Sequence, residues 1–313
     1  MSITVFGDII QPKVFAPYAL NAALTSSALI KSGIVMNDAV LSAALAGGGS
    51  TFNFPSWRNI ADDATDDNVA SFDPAVLSTP EKLTAYEQVA VRLVRNRSYA
   101  SARMAGMLAG SDPQAAVAQA IGERAAADRQ KALLAVIAGV VGADASLTNT
   151  TVDQFSIAGL LETKSVWGDR SVGSVALVMN SKEMTKRQVA EVNAFIPASQ
   201  TNIGLATYLG MPVLVDDKIA DGEVILIEMG SISMGVAQHS RPVAVKQDED
   251  AANGDGVETI HFRDVYTFHI EGSAFVAGTS TGLPTNATLA TAASWDIVGP
   301  AKGVGVVKYK FAA

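Results

Sequence analysis

Few side chains in this sequence could do chemistry, and their spacing keeps them apart. There are three histidines, His239, His261 and His269, and no cysteine. Without cysteine there are no disulfides and no thiolate chemistry. His261 and His269 share the polar parity of one predicted strand. At about 3.3 Å per residue they stand roughly 26 Å apart, too far to hold one metal ion, so exposed or interface positions are expected. Asp62, Asp63, Asp66 and Asp67 supply oxygens of the kind calcium takes. The EF-hand spacing is absent and no glutamate closes the loop, so they read as a solvated hairpin tip. The Asp248-Glu249-Asp250 run with Asp255 reads the same way. Asp216 and Asp217 follow a short apolar run, and strand ends often carry catalytic groups. An acid–base pair needs two environments that push the pKa values apart, and nothing near these two indicates that. Gly47-Gly48-Gly49-Ser50-Thr51 lacks the lysine of a phosphate loop and follows a helix instead of a strand. Gly303-Val304-Gly305 lies beyond the last predicted helix, the wrong place for a dinucleotide fingerprint. No catalytic, cofactor or metal site is expected. Trp57-Arg58 is the stronger functional pair, since these residue types dominate interface hot spots. Packing of Trp57 under its own hairpin is the alternative.

The elements around these residues also speak for surfaces over catalysis. The chain has 313 residues, enough for two lobes or one core with insertions. Hydrophobic residues make up 49% and charged residues 17%, few charges for the surface area, as in a protein covered by partners. No apolar run reaches the ~20 residues of a membrane helix, and the N-terminus lacks a signal-peptide pattern, so no membrane contact is expected. The net charge of −8 opposes a tight grip on nucleic acid. The one basic cluster is Arg92-Leu93-Val94-Arg95-Asn96-Arg97. The chain can enclose DNA with weak, non-specific contact.

Residues 1 to about 18 read as an extended arm, with Ile9, Ile10, Val14 and Phe15 among Pro12 and Pro17. So apolar an arm needs cover from a neighbouring subunit. Residues 19–46 are weakly helical and stop at Gly47-Gly48-Gly49. Thr51-Phe52-Asn53-Phe54 is a strand entering Pro55-Ser56-Trp57. Leu83, Ala85, Val89, Val91 and Leu93 fall on one parity of a second, long strand, with Lys82, Thr84, Gln88 and Arg92 on the other. The two strands, joined by about 25 residues, make a projecting hairpin, which is marginal on its own. Asp112-Pro113 starts a helix running to about Val141, more than ~40 Å long. Val117, Ile121, Leu133, Val136, Ile137 and Val140 form its apolar face, and Gly139 and Gly142 are expected to weaken its end. Residues 175–179 are a buried strand. Asn180 and Glu183 then form a capping-box type pair for a helix faced by Val189, Val192 and Ile196 and ended by Pro197. Leu209-Gly210 is a tight turn into the strand 213–215, and strands at 224–227 and 232–236 complete a compact α/β lobe. Residues 258–270 are a half-buried strand, with Ile260, Phe262, Tyr266, Phe268 and Ile270 inward and Thr259, His261, Arg263, Thr267 and His269 outward. Residues 243–245 can pair with it.

In this order the chain resembles the major capsid proteins of tailed double-stranded DNA bacteriophages, almost end to end. GGGSTFNFPSW at 47–57 resembles that family's entry into its extended loop, and AGSDPQAAVAQAI at 109–121 the start of its spine helix. YLGMPVLVDD at 208–217 resembles an axial-domain strand, and GLPTNATLATAASW at 282–295 a terminal segment, with Ser294 where the family often has Asn. The resemblance implies an α+β fold: arm and helix at 1–46, extended loop at 47–95, spine helix and first part of the peripheral domain at 96–150, axial domain at 151–238, and peripheral strands with the C-terminal segment at 239–313. It implies self-assembly through hexamers and pentamers into an icosahedral shell around double-stranded DNA, built in the host cytoplasm. Portal, decoration and separate scaffolding proteins are possible partners. The assembly interface would include Phe15, Phe52, Trp57, Arg58, Asp62, Asp63, Asp66, Asp67, Arg92, Asp216 and Asp217. Alternatives are an encapsulin-like cellular nanocompartment shell, an α/β hydrolytic enzyme using Asp216 or Asp217, and a phage decoration or tail protein.

Overall fold

Alternation, caps and glycines set the local elements. A computed structural model describes residues 29, 32–58, 72–77, 82–102, 113–170, 174–190, 195–196, 206–254, 256–278 and 282–312. The arm with Phe15 and the acidic group Asp62, Asp63, Asp66 and Asp67 lie outside the described residues.

The helix expected up to Ala46 is interrupted. Gly33 turns the chain at φ 78°, and β1 (Val35–Asn37) intervenes before α1 (Ala39–Ala46). Asp38 caps α1 by accepting the N–H groups of Val40 and Leu41. Gly48 and Gly49, at φ 106° and 87°, stop it as expected.

The hairpin forms: β2 (Thr51–Trp57) and β3 (Ala85–Val91) pair antiparallel, Thr51 opposite Val91 and Trp57 opposite Ala85. The second strand is not continuous, however. It breaks at Arg92, whose N–H turns aside to Ser50 O at 2.8 Å. Beyond the break, β4 (Leu93–Ala102) enters another sheet. Gln88, expected outward, is buried, because the face opposite Val89 lies against that second sheet.

α2 (Pro113–Ala143) is the long helix, 31 residues and so about 46 Å. Its Leu133, Val136, Ile137 and Val140 enter the main core, while Ile121 and Ala125 pack with Val243, Ile260 and Phe262 in a second cluster. Gly139 lies inside the helix, which runs on to Ala143. It lets Leu289 and Trp295 approach so closely that a Cβ would collide with Leu289 O and the indole.

Next come β5 (Thr148–Thr150), α3 (Ile157–Lys164), β6 (Val175–Met179), α4 (Ser181–Ala190), β7 (Phe195–Ile196), β8 (Thr207–Tyr208), β9 (Met211–Val215) and β10 (Glu223–Glu228). Asn180 Oδ1 accepts the Glu183 N–H at 2.8 Å, the expected cap. The expected face of α4 fails at two of its three residues, since Val189 is exposed and Ile196 lies in β7, while Val192 lies outside the described residues. Buried Glu183 and half-buried Met184 and Arg187, whose guanidinium lies 4.6 Å over Phe155, set its inner side instead. Leu209 and Gly210, at φ 49° and 78°, make the two-residue turn between β8 and β9.

The chain closes with β11 (Ile232–Ala237), β12 (Val243–Asp248), β13 (Val257–Ile270), β14 (Ser273–Phe275), α5 (Asn286–Ala290), β15 (Trp295–Ile297) and β16 (Val306–Lys310). A seven-stranded sheet runs β5-β16-β10-β6-β9-β8-β7, and a four-stranded sheet runs β15-β14-β3-β2. In the five-stranded sheet β13 is central, pairing β11 and β12 along one edge and β4 along the other. Sheet membership crosses residue 238 both ways, since β16 joins the middle-region strands and β11 leaves them. The half-buried reading of β13 holds only for its first half. From Asp264 onward both faces are covered, and Thr267 and His269 are buried against β3.

Candidate assembly interface

Asp216 and Asp217 do not form a catalytic pair. Asp216 is buried, with its carboxylate accepting from Gln130 Nε2 and from the Lys218 N–H. Asp217 is exposed and accepts the Ser181 N–H at the start of α4, at 2.9 Å. Hydrogen bonding to Ser181 holds its carboxyl below the usual carboxylate range. Each acid thus ties down a turn or a helix end. Among the described residues no group of three or more His, Asp or Glu could hold a metal ion, and no helix is long and apolar enough to cross a membrane.

The basic cluster is also spent inside the chain. Arg92 Nη2 donates to Leu45 O, and its guanidinium lies 5.5 Å from the centre of the Phe52 ring. Arg95 Nη2 donates to Pro284 O and Asn286 Oδ1, at 3.1 and 2.9 Å. Arg97 holds Asp128 of α2 through Nε and Nη2, at 3.0 and 2.9 Å. Three neighbouring arginines therefore brace three different elements.

The expected interface residues divide accordingly. Phe52 and Asp216 are buried and Arg92 is bound internally, whereas Trp57, Arg58 and Asp217 are at the surface. Trp57 is 70% exposed, so it is not packed under its hairpin. The loop beyond it presents Phe72, Val76, Leu77 and Leu83 to solvent as well. Edge strand β2 thus leads from a buried root into a series of large, uncovered apolar side chains. Three further exposed apolar residues, Val152, Ile157 and Leu161, lie on and just before α3.

Sequence reasoning missed the polar contacts that hold the hairpin root and the long helix. Gln88 Oε1 accepts the Gly272 N–H at 3.0 Å and lies 2.8 Å from His269 Nε2. Arg129 of α2 pairs with Asp264 of β13 inside the protein. The polar parity of β13 carried the His269 signal, but nothing local distinguished a covered polar face from a wet one.

Residues 18–307 match the family described as major capsid protein 13-like. The major capsid protein of Bacillus phage SPP1 is 30% identical over 336 residues, covering 99% of this chain and 98% of that protein. The cyanophage Pam1 capsid shares the fold with a TM-score of 0.58 at 12% identity, over 100% of this chain and 94% of that one. A Mycobacterium phage Bobi structure gives 0.54 at 13% identity, over 93% and 90%. The α+β fold is thus that of phage capsids, and these relatives favour the phage shell over a cellular compartment. The family and the SPP1 relative are structural capsid proteins, not enzymes. This chain belongs to the major capsid protein 13-like family and is a structural protein of a tailed-phage capsid.

Proposed function

We propose that the chain assembles as hexamers and pentamers into an icosahedral head that encloses double-stranded DNA, after synthesis in the host cytoplasm. The hairpin carries this reading: Trp57, Phe72, Val76 and Leu77 are all exposed in the single chain. Large exposed apolar groups on one hairpin and its loop call for a partner surface, and a second copy would supply one in a capsid protein family. Heterologous contacts of this kind close into rings, and each subunit then depends on its neighbours. Residues 47–95 would be the extended loop, 96–150 would carry the spine helix and the first part of the peripheral domain, and 151–238 would be the axial domain. The arm and helix at 1–46 and the strands and C-terminal segment at 239–313 would complete the subunit. Trp57 and Arg58 are the assigned contact residues on the hairpin, and exposed Asp217, just after β9, is assigned to the same interface. Phe15, Asp62, Asp63, Asp66 and Asp67 are assigned to the same interface from sequence alone. Phe52, Arg92 and Asp216 would act indirectly, by holding the hairpin root and the axial turn in shape. The net charge of −8 and the internally braced arginines favour loose containment of DNA. Portal, scaffolding and decoration proteins would meet the assembled shell.

The test is to express the full chain with and without a scaffolding protein and image the products by negative-stain electron microscopy. Closed shells, or five- and six-fold capsomers, are expected. A uniform dimer or tetramer under both conditions overturns the reading.

A further inference from the structure

We propose that Ser56, Gln88 and His269 form an acid-released latch that fastens the root of the β2–β3 hairpin to β13. The three residues lie on three strands of two different sheets. Gln88 Nε2 donates to Ser56 Oγ at 3.0 Å, while Gln88 Oε1 accepts the Gly272 N–H at 3.0 Å. That second bond fixes which end of the amide is oxygen. His269 Nε2, 2.8 Å from the same oxygen, must then carry its proton. The ring is neutral, and its Nδ1 is buried with no hydrogen-bond partner.

A second proton would go onto Nδ1, which faces no acceptor. A buried cation without a partner costs far more than a neutral ring. The charged groups on the surrounding elements are Asp38 at the start of α1, Glu87 on β3, Arg92 after β3 and Glu271 after β13. Glu87 is engaged by Asn53 and Arg92 by Leu45 O, and Asp38 alone favours the charged ring. Burial outweighs Asp38 and lowers the His269 pKa to about 4.

Relief comes along the seam of β13 that no backbone ladder crosses. β4 and β11 hold β13 with backbone ladders. β2 and β3 have no ladder to β13 and meet it through side chains such as His269 and Thr267. Acid therefore opens the hairpin root first and leaves the rest of β13 paired. Because the hairpin bears the exposed apolar groups, the latch links proton concentration to their placement.

Hydrogen–deuterium exchange on the full chain, corrected for intrinsic rates, tests this between pH 7 and pH 4.5. In the wild type, opening of residues 51–57 and 85–91 is expected to rise on the order of 50-fold, with the β10–β16 ladder unchanged. His269→Gln keeps an N–H toward Gln88 but cannot titrate, and should lose the response. An equal response in His269→Gln, no response in the wild type, or simultaneous opening of all strands overturns the proposal. If His269→Gln does not fold, Gln88→Glu decides. Its carboxylate favours the charged ring and should shrink the response, and an unchanged response overturns the latch.

Discussion

Arg129, on the long helix α2, holds Asp264 of β13 through two hydrogen bonds, 2.7 Å from Nε and 2.6 Å from Nη2, with both side chains buried. The guanidinium also lies 5.5 Å from the centre of the Tyr266 ring. This bidentate pair fixes the register of the helix against the central strand of the five-stranded sheet. Burying two charges is costly, so the pair matters more for what breaking it does than for net stability.

Asp264→Asn leaves the Arg129 charge unpaired inside the protein and should destabilise by about 3–5 kcal/mol. Replacing both residues, Arg129→Met with Asp264→Leu, should recover most of that loss. Urea unfolding followed by circular dichroism gives both values. A single mutant as stable as the double mutant would show that the charge pair is not the cause.

Gly139 is where α5 and Trp295 reach the helix, and Trp295 Nε1 donates to Leu289 O there at 2.7 Å. Gly139→Ala drives a methyl into that contact and should cost about 1–3 kcal/mol. Gly142→Ala meets only Ala292, its Cβ at 3.3 Å, and should cost less. Differential scanning calorimetry would rank the two, and the reverse order would count against a tight seam at Gly139.

Trp57→Ala removes a side chain that is 70% exposed in the subunit. Subunit stability should stay within about 0.5 kcal/mol, while capsomer contacts weaken by ~2 kcal/mol or more. Comparing subunit unfolding with particle dissociation in denaturant separates the two. Equal particle stability would remove Trp57 from the interface.

Deleting residues 62–73 spares β2 and β3, whose pairing runs from Thr51–Val91 to Trp57–Ala85. The shortened subunit should fold, with assembly lost or misdirected. Normal particles in electron micrographs would withdraw the loop from assembly.

His269 makes global stability depend on pH. Its pKa is about 4 in the fold against an ordinary value of 6.5, so the unfolded chain binds the extra proton first. This contribution is therefore complete above pH 6.5 and declines as pH falls toward 4, by a total on the order of 3 kcal/mol. Urea midpoints from pH 7 to pH 4, for wild type and His269→Gln, would measure it. Parallel curves would show that other groups carry the acid sensitivity.

Much of the fold was legible because its signals are local. Gly48 and Gly49 stop α1, Asn180 starts α4, and Leu209-Gly210 folds the β8–β9 turn, each through the backbone needs of a few adjacent residues. Alternation marked β13 and the hairpin strands, and the position of Trp57 beside Arg58 marked a candidate contact. The break at Arg92 was not legible, because Leu93 continues the apolar parity of Val89 and Val91 across it, and only their partners place β3 and β4 in different sheets.

Sequence alone thus determined the long helix, the pairing hairpin strands and most of the turns and caps, since caps, turns and periodicity act over a few residues. Tertiary structure alone decided which polar groups lie inside. Arg129 meets Asp264 across 135 residues and His269 meets Gln88 across 181. Their burial depends on what covers each face, which no local pattern encodes. The same packing turned Arg92, Arg95 and Arg97 into internal braces and left Trp57 exposed.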